Sequence, residues 1–361
     1  MLAAVLAGEP RLPSPDAWEP LIAEAVEQGT APLLYAAARS LGWDGPALRS
    51  LQVRAAADAA LALAQNVELG TVLEGLADAG VAVLVLKGAH LANHHYASPE
   101  LRPRSDSDLL IRDADRASAR ECFVRLGYAP LAHVTGDVAF TQCHFTRVDA
   151  AGVRHAFDVH WRVANPRVFS SRLTWDDLAA ERVPVRALPA ASRAFGPSAA
   201  HALLLACLHR TAHHGNSDRL IWLYDIRLLA SRLSAAEWDR LVDLAARRGV
   251  AAVLLAGLRA STRLAGARPP AGVIRRLEHL GAQRVEPDLR RFIAGRQSPL
   301  RVLVSDWRRL RGLPERAAFL REHLLPPPAY MAHKYEVGSR AALPWLYVHR
   351  LVRGCARWLR Q

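Results

Sequence analysis

The sequence predicts an α+β fold, in which a small β-sheet core lies between a helical segment and a larger all-helical part. Apolar and β-branched runs that suit strands are confined to residues 81–163. Two alanine- and leucine-rich stretches precede them, and apolar residues spaced three and four apart follow from Ser198. We therefore divide the chain into a helical segment (1–80), a core (81–190) and a C-terminal helical domain (198–361).

The N-terminal segment is expected to form helices over residues 15–39 and 46–77 that pack beside the core. Gly42 and Gly45 separate the two stretches, and Pro46 suits the first position of a helix. A stop at residues 78–80 then leads into the first strand of the core.

The core is expected to alternate strands and helices. Asp113 is placed to cap the second helix and Gly127 to end it. Asp149 opens a plausible hairpin turn, and Pro184 is compatible only with an edge strand. The predicted elements are a strand over 81–86, a helix over about 89–95, a strand over 106–111, a helix over 114–127, hairpin strands over 138–148 and 154–163, an edge strand over 182–188 and a linker over 189–197.

The C-terminal part reads as helical throughout. Ser234 followed by Glu237 predicts a capping box at the start of one helix. Residues 343–359 predict a basic amphipathic helix that covers a core, with a membrane surface as the alternative partner. The remaining helices are expected over 198–214, 218–232, 235–248 and 250–264.

Composition narrows the class of protein. The chain has 361 residues, of which 51% are hydrophobic and 22% charged, as in ordinary globular proteins. Its four cysteines show no C-x-x-C spacing, so neither a disulfide scaffold nor a cysteine zinc site is indicated. No apolar run is long enough for a transmembrane helix, and a reducing cytoplasmic location is expected.

The net charge of +13 comes almost entirely from arginine, because Lys87 and Lys334 are the only lysines. The positive charge is dispersed along the chain, without a long basic run or interleaved aromatic residues. Nucleic acid is therefore a less favoured partner than a small substrate.

Three carboxylates predict a metal site. Asp106 and Asp108 begin the second predicted strand, where alternation directs both side chains to the same face. Two such carboxylates are costly unless a cation lies between them. Asp158 lies within a later strand, and oxygen ligands of this kind suit Mg²⁺. We predict that all three are catalytic residues and metal ligands. For Asp158 two roles stay open, since it either completes a second metal site or accepts a proton from the attacking group.

Residues that flank these aspartates suit phosphate binding. Lys87 carries a compact ammonium group at the end of the first predicted strand, and Gly88 permits close approach of its backbone. Arg104 and Ser105 stand directly before Asp106 and are predicted to contact the nucleotide. His160 is a further candidate for contacts with phosphate or with a second substrate that accepts the transferred group.

These motifs resemble the nucleotidyltransferase superfamily, which shares the palm-like core of polymerase β. The closer resemblance is to the bacterial group of uncharacterised nucleotidyltransferases, which implies a small mixed-sheet core. Its motifs read here as Leu86-Lys87-Gly88, Tyr96 to Pro99, Arg102 to Leu110, and Asp158-Val159-His160-Trp161. Ala89 stands where the superfamily usually has serine, so a serine contact to the triphosphate is not expected.

A second group resembles the family's histidine-bearing helix and the helix after it. His209 and His213 share a helix face, and Arg219 and Asp225 follow on the next predicted helix. Three interpretations stay open. The histidines bind zinc, although Arg210 replaces the usual acid; the group is structural, with Asp225 paired to Arg219 or an imidazole; or the group contacts the nucleotide.

The resemblance implies transfer of a nucleoside monophosphate from an NTP to an acceptor, with release of pyrophosphate. Two Mg²⁺ ions, or Mn²⁺ in their place, are the expected cofactors. The acceptor is expected to be a hydroxyl or similar group of a small molecule, peptide or protein. The alternatives are a toxin-like enzyme that modifies RNA, and a non-catalytic binding protein on this fold.

Overall fold

A five-stranded mixed sheet lies among helices from both ends of the chain, which confirms the predicted α+β class. The computed structural model describes residues 2–7, 14, 17–131, 138–185, 187–188, 194–283, 285–337 and 340–350. Its strands are β1 (Val83–Leu86), β2 (Ser107–Ile111), β3 (Ala129–Pro130), β4 (Gln142–Val148), β5 (Arg154–His160), β6 (Val183–Pro184) and β7 (Phe195–Gly196).

The helices fall before, within and after this sheet. Those up to the end of the core are α1 (Leu2–Ala7), α2 (Trp18–Glu27), α3 (Ala31–Ser40), α4 (Pro46–Asp78), α5 (Lys87–His94), α6 (Arg116–Arg125), α7 (Arg167–Ser170) and α8 (Trp175–Ala180). The later ones are α9 (Ala199–His214), α10 (Leu220–Ala230), α11 (Ala235–Arg247), α12 (Ala251–Ala265), α13 (Ala271–Ala282), α14 (Pro287–Ile293), α15 (Pro299–Arg308), α16 (Gly312–Leu324) and α17 (Pro328–Lys334). Residues 343–350 are also helical.

The order of strands in the main sheet is β1-β2-β5-β4-β3. Only β2 and β5 pair in parallel; the other pairs are antiparallel. The β4–β5 hairpin turns where it was predicted, because the Asp149 carboxylate accepts hydrogen bonds from the backbone N–H groups of Ala151 and Val153. This turn sets the register of the hairpin, in which His144 lies opposite Asp158.

The predicted edge strand over residues 182–188 does not join the main sheet. Among the described residues of this range, Val183 and Pro184 form a strand, which pairs with Phe195 and Gly196 in a separate two-stranded sheet. Phe195 and Gly196 belong to the predicted linker, of which residues 189–193 lie outside the described part of the chain. The strand at the β4 side of the main sheet is instead β3, whose two residues are too few to show a strand period.

Two predicted helices also begin or end differently. The stretch over 15–39 is divided into α2 and α3, because Gly29 adopts a φ of +70° that ends the first of them; residues 15–16 are not described. Asp113 does not cap α6, since a 3₁₀ turn over Asp113–Asp115 precedes it. The capping box of Ser234 and Glu237 is confirmed.

Periodicity decides which face of the sheet each core residue covers. Leu84, Leu86 and Leu110 pack into an apolar core that the N-terminal helices share with the helices from α9 onward. Their strand neighbours, among them Val85 and Leu109, face a second core under α6 and the C-terminal half of α4. Asp108 alternates with Leu109, so it points toward the first core.

Two predictions concern the C-terminal region and membranes. The amphipathic helix predicted over residues 343–359 is helical as far as Arg350, and residues 351–359 are outside the described chain. Over the residues that the structure covers, no helix has the length and apolar character needed to cross a bilayer.

Candidate active site

The parallel pairing of β2 with β5 sets two of the predicted aspartates side by side. Asp108 is the direct partner of Asp158 in this register. Adjacent strands lie only about 4.8 Å apart, so the two side chains share one face at close range. Both are largely buried. Asp106 lies directly before β2, so strand periodicity applies to Asp108 but not to it.

Asp108 is held by two nitrogen groups. Lys87 Nζ donates a hydrogen bond to Asp108 Oδ1 over 2.6 Å, and His160 Nε2 lies 2.9 Å from the same oxygen. Burial alone would raise the pKa of Asp108, but Lys87 and His160 hold it well below its usual range. The Lys87 ammonium, predicted to reach a phosphate, is thus engaged with a carboxylate.

Lys87 reaches Asp108 because of an unusual backbone conformation. Its φ is +48°, a left-handed value that is uncommon outside glycine. It directly follows Leu86, the residue that pairs with Asp108 across β1 and β2. The sharp change of direction at the end of β1 thus lies beside the carboxylates, where backbone strain is a frequent feature of functional sites.

The pKa of Asp106 is affected by its burial and by the other two carboxylates. Burial, followed by the charges of Asp108 and Asp158, raises the pKa of Asp106 to about 6. Ser105 is exposed, and its Oγ donates a weak hydrogen bond to Asp106 Oδ1 over 3.4 Å. The charged form of Asp106 is thus disfavoured first by burial and then by the two neighbouring carboxylates.

Residues of β4 complete the surroundings of Asp158. His144 forms an ion pair with Asp158 Oδ1, and Gln142 Nε2 donates to Oδ2 over 3.4 Å. Burial lowers the pKa of His144, but its hydrogen bond with Asp158 raises it more, so the net shift is upward. We did not predict His144 or Gln142. The hairpin turn at Asp149 contained the signal, because it fixes which residues of β4 face Asp158.

The donor set fits a divalent cation. Potential ligand atoms of Asp108, Asp158 and His160 lie within 4.8 Å of one another. A cation would also favour the charged form of Asp106, which burial and the charges of Asp108 and Asp158 disfavour. Two or three carboxylates with an imidazole suit Mg²⁺ or Mn²⁺. No other group of three possible ligands occurs in the part of the chain that is described, so the geometry does not support zinc at His209 and His213.

Asp225 has a different partner from those predicted. Its carboxylate accepts hydrogen bonds from Arg102 Nε and Nη2 at 2.9 and 2.8 Å, and from the Tyr96 hydroxyl at 2.6 Å. All three groups are buried. Asp225 therefore joins α10 to the segment before β2, and it pairs with neither Arg219 nor an imidazole.

Arg104 lies two residues further along and has no such carboxylate. Its Nη2 donates to Asn66 Oδ1 over 2.8 Å and its Nε to Ser107 Oγ over 3.4 Å. Burial, with the charge of Arg102, lowers the pKa of Arg104 to about 10, so the group stays cationic at neutral pH. Gly88 packs close by: a Cβ there would lie 3.5 Å from Arg104 Cβ.

The predicted histidine face of α9 points toward the carboxylates. Burial, followed by the charges of Lys87 and His160, lowers the pKa of His213 to about 3. His209 is affected similarly, and its Nε2 lies 2.9 Å from His214 Nε2. These imidazoles are therefore neutral hydrogen-bonding groups. The His214 ring stacks on Trp222 of α10, with ring centroids 3.9 Å apart.

A single cavity of about 750 Å³ brings the two predicted groups together. Small-molecule sites usually have volumes of this order. Residues from α2, α4 and α10 complete the cavity wall, among them Val26, Leu61 and Trp222. All the residues that we predicted for the site line it: Lys87, Gly88, Arg104, Ser105, Asp106, Asp108, Asp158, His209, His213, Arg219 and Asp225.

Comparison with known proteins agrees with this arrangement. A search of curated proteins gives no match. The family model described as uncharacterised nucleotidyltransferase matches residues 14–266, which include the sheet, the aspartates and the histidine helix. Since this match covers more than half of the 361 residues, the chain belongs to the uncharacterised nucleotidyltransferase family and is a nucleotidyltransferase enzyme.

Proposed function

We propose that the protein transfers a nucleoside monophosphate from an NTP to a hydroxyl or similar group of a small molecule, peptide or protein, with release of pyrophosphate. The observation that carries this proposal is that Asp106, Asp108 and Asp158 line one cavity together with cationic and neutral nitrogen groups. A polyphosphate needs both sets of groups, because its negative charge must be neutralised and its phosphates positioned.

The three aspartates would hold one or two Mg²⁺ ions, which would neutralise the triphosphate and favour departure of pyrophosphate. His160 orients Asp108 through its 2.9 Å contact with Oδ1. Lys87 supplies positive charge at the same oxygen before substrate binds. The α9 imidazoles line the same cavity, where neutral donors and acceptors suit a sugar or a base.

Transfer also requires a group that accepts the proton of the attacking hydroxyl. We assign this role to the Asp158 carboxylate, because it lies in the cavity beside the other aspartates. His144 contacts Asp158, and its side chain is 32% exposed. It is therefore placed to pass a proton from Asp158 to solvent.

The cavity favours a small acceptor over a folded nucleic acid. Its volume of about 750 Å³ must hold the reacting part of the nucleotide and the acceptor together. The walls come from α2, α4, α9 and α10, which surround the carboxylates with structure. A small molecule or a protruding peptide side chain fits such a site better than a duplex.

Calorimetry tests the donor half of the proposal. Wild-type protein should bind at least one NTP in the presence of Mg²⁺ and bind it much more weakly in EDTA. Asp108→Asn should lose this dependence on metal. Nucleotide binding that is insensitive to metal, or no binding of any NTP, would support the non-catalytic alternative.

Isotope transfer tests the acceptor half. The enzyme is incubated with Mg²⁺, a cell extract and an NTP labelled at either the α- or the γ-phosphorus. Label should pass to a small-molecule or protein fraction only from the α-position. Transfer of α-label to RNA would support the toxin-like alternative, and transfer of γ-label would indicate a kinase instead.

A further inference from the structure

Two arginines in the segment before β2 are equally buried but differ in their partners. Arg102 and Arg104 are each 8% exposed, and both line the cavity. They are separated by Pro103 alone, so they share a local environment. A difference in their partners therefore points to a difference in role.

Arg102 is fully compensated. Its guanidinium binds the Asp225 carboxylate through Nε and Nη2, and its Nη1 donates to the carbonyl oxygen of Pro103 over 2.7 Å. A buried ion pair with this geometry satisfies both charges. Each of the three Arg102 nitrogens thus donates a hydrogen bond, and its charge is matched by the Asp225 carboxylate.

Arg104 is held in place but is not neutralised. Its contacts are Asn66 Oδ1 and Ser107 Oγ, both uncharged, and its backbone oxygen accepts from Gln65 Nε2 over 3.0 Å. Its buried Nη1 has no hydrogen-bond partner among the described residues. The charge of Asp106 acts on Arg104, but no carboxylate among the described residues hydrogen-bonds to its guanidinium. This buried cation therefore carries a desolvation cost that a directly bound anion would reduce.

Asn66 contacts the Arg104 guanidinium through an uncharged amide oxygen. It is itself buried, and its amide exchanges hydrogen bonds with Asn93 at 2.9 and 3.1 Å. Asn93 Nδ2 in turn donates to the carbonyl oxygen of Ala89. This amide pair fixes the Asn66 oxygen on Arg104 Nη2 without adding charge, whereas an aspartate there would add a negative charge and lose the donor to Asn93 Oδ1.

We propose that Arg104 is the polyphosphate-binding residue of the cavity and that Asn66 is a positioning residue that orients it. The ligand is a phosphate oxyanion, which would accept a hydrogen bond from the unpartnered Nη1 and supply the missing negative charge. Identification of this oxyanion with the triphosphate of an NTP rests on the proposed function. Arg104 fits the role better than Lys87, whose ammonium is engaged with Asp108.

Binding of inorganic tripolyphosphate to the full chain in EDTA tests this assignment by calorimetry. Without metal, the aspartates cannot recruit the anion through a cation, so binding depends on the protein's own cations. Arg104→Gln should weaken binding about tenfold or more, since it removes a charge-assisted hydrogen bond. Asn66→Asp should weaken it similarly, because it neutralises Arg104 internally.

Arg102→Gln is the matched control, because it makes the same side-chain change two residues away. It should lower the melting temperature and leave tripolyphosphate affinity of the folded protein within about twofold of wild type. If Asn66→Asp does not fold, Arg104→Gln still decides. Wild-type affinity in Arg104→Gln, or no binding of millimolar tripolyphosphate to wild type, would overturn the assignment.

The same data separate this inference from the proposed function. A protein that binds tripolyphosphate through Arg104 but transfers no α-label would retain the anion site and lose the proposed reaction. A protein that transfers α-label with unchanged kinetics in Arg104→Gln would retain the reaction and lose the anion site.

Discussion

Asp106 and Asp108 stand two residues apart, yet their surroundings give opposite expectations for stability. Asp106 has its pKa raised to about 6 by burial and by neighbouring carboxylates, whereas Lys87 and His160 stabilise the charge on Asp108. Charge on Asp106 therefore costs stability, and charge on Asp108 contributes to it. Loss of either carboxylate should nevertheless abolish transfer.

We predict that Asp106→Asn raises the melting temperature at pH 7–8 and that Asp108→Asn lowers it. The pKa of Asp106 is higher in the folded than in the unfolded protein. The charged carboxylate therefore lowers the stability of the fold fully above pH 6, and this loss disappears as the pH falls toward 4. The gain from Asp106→Asn is at most about 3 kcal/mol. Melting curves at pH 4.5 and 7.5 measure both effects. A gain for Asp106→Asn that is the same at both pH values would contradict the electrostatic explanation.

Loss of the Lys87 ammonium should tighten metal binding but slow nucleotidyl transfer. Its ammonium occupies Asp108 Oδ1, so a divalent cation at Asp108 must compete with it. Lys87→Met should tighten Mn²⁺ binding in the absence of nucleotide by about tenfold, since one competing charge is removed. It should also slow transfer. Electron paramagnetic resonance titration of Mn²⁺ gives the affinity, with Lys334→Met as the control; equal Mn²⁺ affinity in wild type and Lys87→Met would refute the competition.

At the scale of elements, one buried group links α10 to the sheet. Asp225 on α10 neutralises Arg102 and binds the Tyr96 hydroxyl, both in the segment between α5 and β2. We predict that Asp225→Ala destabilises the fold by about 3–5 kcal/mol, because it leaves a buried guanidinium unpaired. Urea denaturation measures the change. Activity per folded molecule should stay close to that of wild type. A large loss of activity with unchanged stability would place Asp225 in the nucleotide site.

The histidine face of α9 is expected to affect nucleotide binding more than the stability of the fold. His213 Nε2 is buried without a hydrogen-bond partner among the residues described, and it faces the cavity near Lys87 and His160. We predict that His213→Ala changes the melting temperature by less than about 2 °C but weakens NTP binding several-fold. His201→Ala, on the same helix but outside the cavity lining, is the control for calorimetry. Unchanged NTP affinity in His213→Ala would remove it from the site.

At the scale of the whole molecule, one apolar face of the sheet is buried by helices from outside the predicted core. Leu84, Leu86 and Leu110 pack in the same apolar core as Leu34 of α3 and Leu204 of α9. The fold therefore joins the N-terminal helices, one face of the sheet and the C-terminal helices through common burial. The division of the chain at residues 80 and 190 remains a sequence-based prediction, and a folding experiment can test it.

We predict that residues 81–190 do not fold in isolation. Each large apolar side chain left exposed forfeits roughly 1.5–3 kcal/mol, and several would be exposed on one sheet face. That loss is comparable to the whole stability of a domain. The isolated segment should show no cooperative thermal transition by circular dichroism, while the full chain should. A sharp transition in the segment would show that it is an independent domain.

The sequence was sufficient for features that depend on local chemistry. Alternation placed Asp108 and Asp158 on faces opposite to their apolar neighbours, and Asp149 specified the hairpin turn. The serine–glutamate pattern specified the capping box at Ser234. Each of these signals spans only a few residues, so the backbone period or a single turn is enough to determine it.

Sequence reasoning was weaker where an element is short or where partners are distant in the chain. β3 has two residues, which is too few for a period, and the segment after Arg182 pairs with β7 instead of the main sheet. The partner of Asp225 is 123 residues away in sequence. No spacing rule connects positions that far apart.

By itself, the sequence determined the α+β class, which follows from periodicity, and the family and candidate site residues, which follow from its motifs and their resemblance to known ones. Only the tertiary structure decided how those residues are paired. It placed Lys87 on Asp108, gave Arg102 a carboxylate and left Arg104 without one. The physical reason is that charge compensation in a buried site depends on which elements pack together, and that depends on the burial of apolar faces along the whole chain.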